Sequence, residues 1–126
     1  MKRQALVASL ALVLAACGGE GIPPQEQTPV QRGLALVNEK ACTACHALDG
    51  SRGIGPSWVG IYGTTSRFAD GTTALVDDAY LRRSMLEPAA QVVEGFDSVM
   101  APAAVTDDQV LDIIALIREL QDGPLQ

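Results

Sequence analysis

Two of the three cysteines and the only histidine of this 126-residue chain fall within five positions, Cys42-Thr43-Ala44-Cys45-His46. Around that run the chain has few rings with which to build an interior. Its aromatic residues are Trp58, Tyr62, Phe68, Tyr80 and Phe96, about 4% of the total. A domain of this size normally draws much of its core volume from such side chains, so flat apolar bulk is in short supply. The stretch after the cluster carries Gly50, Gly53, Gly55, Gly60, Gly63 and Gly71, and long irregular loops in a small domain need an anchor. The cysteine–histidine run is the candidate anchor.

Three chemistries share this spacing. A zinc site takes four ligands, and beyond Cys42, Cys45 and His46 the chain offers only the distant Cys17 or a carboxylate. A thiol–disulfide redox pair also uses two intervening residues, but it belongs beside a βαβ pattern, and no run here alternates well enough to suggest a sheet. Covalent haem attachment is the third. Two thiols three positions apart can add to the two vinyl groups of one porphyrin edge, and the adjacent imidazole then sits under the iron as an axial ligand. On this reading Cys42 and Cys45 carry one haem c, His46 binds its iron, and the porphyrin supplies the missing bulk.

Helical periodicity surrounds the cluster. Apolar residues at 30, 34, 37 and 41 predict a helix over Val30–Ala41, with Thr28 as N-cap and Pro29 at the first helical position. A second helix is expected over Asp77–Leu86, acidic at its start and limited by Pro88. The clearest comes last: Thr106 caps, Asp107 and Asp108 follow, and Val110, Ile113, Ile114, Ile117 and Leu120 form one stripe before Gly123-Pro124. The expected fold class is all-α, helices around one haem with long glycine-rich loops. One domain fits the length.

The first residues read as an export signal. Lys2 and Arg3 precede the mostly apolar run Ala5–Ala16, which is shorter than the roughly 20 residues a membrane span requires. Leu14-Ala15-Ala16-Cys17 resembles a bacterial lipobox, in which the cysteine is lipidated after cleavage. Residues 1–16 are therefore expected to be a lipoprotein signal peptide, Cys17 the lipid attachment point, residues 17–29 a flexible tether reaching roughly 20 Å, and 30–122 the haem domain. The net charge of −6 becomes more negative without Lys2 and Arg3 and excludes the basic face of a nucleic-acid binder.

The other axial ligand follows from elimination. With His46 the only histidine, a second imidazole is excluded, and Met1 departs with the signal. Met85 lies within the second predicted helix as a core or haem-contact side chain. Met100 lies in the irregular run Gly95–Pro102, where a loop can carry sulfur over the opposite face. Met100 is the expected iron ligand, with burial as a loop hydrophobe the competing role.

From Val30 to Gln121 the sequence resembles a class I cytochrome c, and especially the haem domain fused to subunit II of some haem–copper oxidases. The resemblance rests on the CTACH run at 42–46, Gly55-Pro56-Ser57-Trp58, Gly60-Ile61-Tyr62-Gly63, Asp70-Gly71 and Asp78-Ala79-Tyr80-Leu81. It continues through Ser84-Met85-Leu86-Glu87-Pro88, Gly95-Phe96, Val99-Met100 and the terminal helix. Departures are Ala101 between the methionine and Pro102, and Leu116 and Val37 where aromatics are frequent. The resemblance implies that the first and last helices cross, with Gly33 allowing close approach to Leu116 and Ile117. It also implies that the Pro56 carbonyl accepts the proton on the non-ligating nitrogen of His46, and that Trp58 and Tyr62 line the pocket or reach a propionate.

Iron with both axial positions filled by His46 and Met100 has no open site for substrate. The expectation is a monohaem electron carrier, not an enzyme, exported and lipid-anchored to a bacterial membrane. Its expected partners are respiratory redox proteins, a haem–copper oxidase on one side and an upstream cytochrome or quinol-oxidising complex on the other. Two alternatives stand beside it: the electron-transfer subunit of a periplasmic dehydrogenase or reductase, and a haem sensor with a labile methionine.

Overall fold

A computed structural model describes residues 21–23 and 25–126. The expected signal peptide, Cys17 and tether residues 18–20 and 24 lie outside the described residues. Three helices dominate: α1 (Pro29–Glu39), α2 (Asp78–Leu86) and α3 (Asp107–Glu119). Both α1 and α3 begin with the same reciprocal cap. Thr28 accepts from the Gln31 amide while the Gln31 side chain accepts from the Thr28 amide, and Thr106 and Gln109 repeat the arrangement. For α2 the cap is Asp77, whose side chain accepts from the Tyr80 amide. All three predicted helices are present, although α1 ends two residues earlier than its apolar spacing suggests.

The principal packing is α1 against α3. Gly33 makes it possible: a Cβ there would lie 2.2 Å from the Asp112 carbonyl oxygen and 3.1 Å from Leu116 Cβ. The close partners are thus Asp112 and Leu116, with Ile117 buried nearby in the same core. Val37, Val110, Ile113, Ile114, Leu116, Ile117 and Leu120 are all buried. Each such side chain contributes roughly 1.5–3 kcal/mol when fully removed from water, which is what holds the crossing. A bidentate pair between Arg32 and Asp112, at 2.9 and 2.8 Å, spans the same seam. Arg32 also donates to the Gln27 carbonyl at 2.6 Å, fastening the segment that leads into α1.

One element was not anticipated. Strands β1 (Thr65–Arg67) and β2 (Thr73–Leu75) pair antiparallel, with Thr65 opposite Leu75 and Arg67 opposite Thr73. Three-residue strands with a single half-buried position each are too short for periodicity to reveal. Turn chemistry makes them: Gly71 takes φ +84°, and the Asp70 carboxylate accepts from the Thr72 amide and hydroxyl at 2.9 and 2.6 Å. Phe68, in the connection, bridges to Val93 and is fully buried. The fold remains mainly helical with this small hairpin on one side.

Among the described residues, no helix is long and apolar enough to cross a membrane.

Candidate haem site

The site begins where α1 stops. Lys40 caps the helix by donating to the Leu36 carbonyl at 2.8 Å, and Ala41 then turns left-handed at φ +57°. Ala41 is the only non-glycine residue with positive φ among the described residues, a conformation costing about 1 kcal/mol. The reversal starts a single 3-10 turn over Cys42–Ala44. The amides of Cys45 and His46 both donate to the Cys42 carbonyl, at 3.2 and 3.0 Å. One tight backbone turn therefore carries both cysteines and leads directly into the histidine. Cys42 and Cys45 are unbridged, half-buried thiols, and burial pushes the Cys42 thiol up from its ordinary value. That is the reverse of the stabilised thiolate on which a thiol–disulfide pair depends. No group of three His, Cys, Asp or Glu side chains converges among the described residues, so no carboxylate completes a zinc site with this run.

A second segment returns to hold the ring. Gly55 donates its amide to the Cys45 carbonyl at 2.9 Å, and Trp58 donates to that of Ala47 at 3.0 Å. His46 Nδ1 lies 2.8 Å from the Pro56 carbonyl oxygen. A carbonyl can only accept, so Nδ1 carries the proton and Nε2 keeps its lone pair. The buried Trp58 stacks on the imidazole with centroids 5.0 Å apart. Space for this return comes from two glycines with ordinary backbone angles. A Cβ on Gly53 would lie 2.3 Å from the Cys45 carbonyl oxygen, and one on Gly55 would lie 2.6 Å from His46 Cε1.

The sequence model of the Cytochrome c family matches residues 30–121, most of the chain. The chain belongs to the cytochrome c family. It is a class I c-type cytochrome, a haem electron carrier whose cofactor, haem c, is attached covalently. A comparison with curated proteins gives no match.

The residues of this cytochrome fit that group. Two free thiols are carried by one turn, the imidazole is locked in the tautomer that leaves Nε2 available, and a glycine-lined strip of backbone cradles the ring. The other expected site residues are placed differently. Tyr62 donates its hydroxyl to Asp78 Oδ1 at 2.8 Å, and the Arg118 guanidinium lies 5.1 Å from the Tyr62 ring centre. That side chain thereby joins the start of α2 to the end of α3. Met100 is 41% exposed on the loop before α3. No hydrogen bond or ring contact joins it to the histidine turn among the described residues. Met85 is buried in the core, and its carbonyl accepts from the Ala103 amide at 2.8 Å, which fixes the downstream end of the Met100 loop.

Sequence reasoning passed over Gly53 as part of the site. Glycines at alternate positions immediately before a proline were its signal, marking backbone that must approach something closely. Asp78 was assigned only to the start of a helix. In the fold its carboxylate also accepts from Arg118, at 2.6 Å to each oxygen.

Proposed function

We propose that this cytochrome carries single electrons between membrane-bound respiratory partners, delivering them towards a terminal haem–copper oxidase from an upstream cytochrome or quinol-oxidising complex. Cys42 and Cys45 would hold the haem through thioether bonds, and His46 and Met100 would bind its iron. Cys17 is the lipid anchor, placing the domain in the periplasm or on the outer face of the cell membrane after removal of residues 1–16. Bound haem supplies a one-electron change between ferric and ferrous iron. The observation that carries the reading is the His46 Nδ1 contact to the Pro56 carbonyl. It commits the ring to one tautomer, raises the basicity of Nε2 and fixes the ring plane. Met100 would fill the remaining axial position from its loop, leaving no place for a substrate on the iron. Its neutral thioether would raise the reduction potential.

The test is spectroscopic. Purified holoprotein should show a sulfur-to-iron charge-transfer band in the ferric state, and Met100→Ala should abolish it while the covalent haem mass is retained. Persistence of the band in that variant would overturn the ligand assignment. Mass spectrometry of the mature amino terminus tests the anchor independently, since an unmodified Cys17 rules it out. Reoxidation of the reduced protein by membranes containing a haem–copper oxidase tests the direction of transfer.

A further inference from the structure

Six of the basic side chains in the described residues reach a carboxylate within 4 Å: Arg32, Lys40, Arg67, Arg82, Arg83 and Arg118. Arg52 does not. Among the described residues it is the one cation with no carboxylate partner, and it lies in the loop between His46 and Gly55. Its guanidinium Nη2 donates to the Gly95 carbonyl at 2.5 Å, and its planar head lies 4.2 Å from the centre of the Phe96 ring. These contacts cross from the loop that holds the histidine to the loop that carries Met100.

The anchoring of the methionine loop gives the contact its meaning. Upstream, Val92 and Glu94 pair with the hairpin connection and the end of β1: the Ala69 amide donates to the Val92 carbonyl and the Glu94 amide to that of Arg67, both at 2.9 Å. Downstream, the Ala103 amide is held by Met85. Between Asp97 and Pro102 the one backbone hydrogen bond among the described residues is internal, Val99 to Asp97. Arg52 is thus the last attachment before Met100, and the only one of these anchors that leads to the histidine side. Gly95, at φ +82°, turns in a region that L side chains rarely adopt.

We propose that Arg52 is a positioning residue for the sulfur ligand, clasping the Met100 loop to the histidine loop so that the thioether stays within reach of the iron. The inference rests on the reading of Met100 as axial ligand. Arg52 acts in two ways. It ties the Gly95 turn, which the Phe96 amide closes on the Val93 carbonyl at 3.1 Å, to the histidine loop, so the free chain ahead of Met100 starts from a point held on the histidine side and the local concentration of sulfur there rises. It also fixes the direction in which that chain leaves, because a flat guanidinium over a ring resists rotation more than a lysine ammonium does.

The experiment compares holoprotein variants Arg52→Ala, Arg52→Lys and Phe96→Leu with Met100→Ala as reference. Two quantities are read: the rate at which the reduced protein binds carbon monoxide, which requires the sulfur to leave, and the denaturant midpoint at which the charge-transfer band disappears. Arg52→Ala should bind carbon monoxide about fivefold faster. It should also lose the band at lower denaturant while the far-ultraviolet unfolding midpoint stays in place. Arg52→Lys and Phe96→Leu should fall between wild type and Arg52→Ala. An unchanged carbon monoxide rate overturns the clasp, and so does a band that is lost in step with global unfolding. An effect of Arg52→Ala confined to exchange with a redox partner would make Arg52 a docking cation and equally overturn it. A band that survives Met100→Ala removes the ligand reading itself. A band lost there but unaltered in Arg52→Ala removes the clasp alone.

Discussion

The α1–α3 crossing and the histidine turn use the same device for different ends. In each, a glycine stands where a Cβ would collide, Gly33 against the Asp112 carbonyl and Gly55 against the His46 ring. At the crossing the glycine sits inside a seam of buried aliphatics, and burial supplies the force that keeps the helices together. At the turn the surroundings are half-exposed, and backbone carbonyls hold the parts: Cys42, Cys45, Ala47 and Pro56 each accept from a neighbouring segment or side chain. Scaffold rigidity here is apolar and collective. Site rigidity is polar and local, a handful of bonds that each hold one group.

Alanine at the two glycines separates these descriptions. Gly33→Ala should have the largest effect, because its nearest obstacle is backbone on a packed helix and cannot swing aside. Overpacking of this kind costs roughly 3 kcal/mol, which in a domain of about 100 residues lowers Tm by more than about 10 °C. Thermal unfolding followed by circular dichroism reads it directly. Gly55→Ala meets a side chain instead, and a ring can move. The cost to folding should be nearer 1 kcal/mol, while the ring leaves its contact with Pro56 and Nε2 becomes less basic. Weaker donation to iron should raise the reduction potential by tens of millivolts, on the order expected for loss of an outer hydrogen bond. Equal losses of Tm in the two variants would erase the distinction between scaffold and site.

The same division decides what the sequence discloses. The crossing is legible because burial leaves a periodic trace: Val110, Ile113, Ile117 and Leu120 recur on one face, and Thr28 and Thr106 stand where caps belong. The anchor run is legible because its chemistry depends on side-chain identity and spacing. The parts that escape notice depend on backbone. Nothing in the residue type of Cys45 or Gly95 says that its carbonyl will be an acceptor, so the role of Arg52 leaves no pattern and that of Gly53 leaves only the alternate glycines before Pro56. Tyr62 shows the converse difficulty. A tyrosine near the cluster invites a pocket role, yet its hydroxyl goes to Asp78, a partner sixteen residues away that the helix start brings into range.

That Tyr62–Asp78–Arg118 group, which joins α2 to α3, offers the smallest and most graded test. The Tyr62 hydroxyl first, and then Arg118, hold the Asp78 carboxyl below its ordinary value. A carboxylate whose pKa is lower folded than unfolded contributes stability that is complete above the unfolded value, about pH 4. That contribution is lost as pH falls through the lower folded value. Asp78→Asn removes the charge at every pH. The carboxylate side chain is 44% exposed and Arg118 is 52% exposed, so solvent screens the pair and the loss at pH 7 should be only about 0.5–1 kcal/mol. The gap between variant and wild type should narrow from pH 5 to pH 3, as wild-type Asp78 takes up its proton and forfeits the same attraction. Denaturant unfolding at pH 7, 5 and 3 checks this. A gap that stays constant into acid would mean that the hydrogen-bonding shape of the group matters and its charge does not, which would make it a polar local contact of the same kind as those around His46.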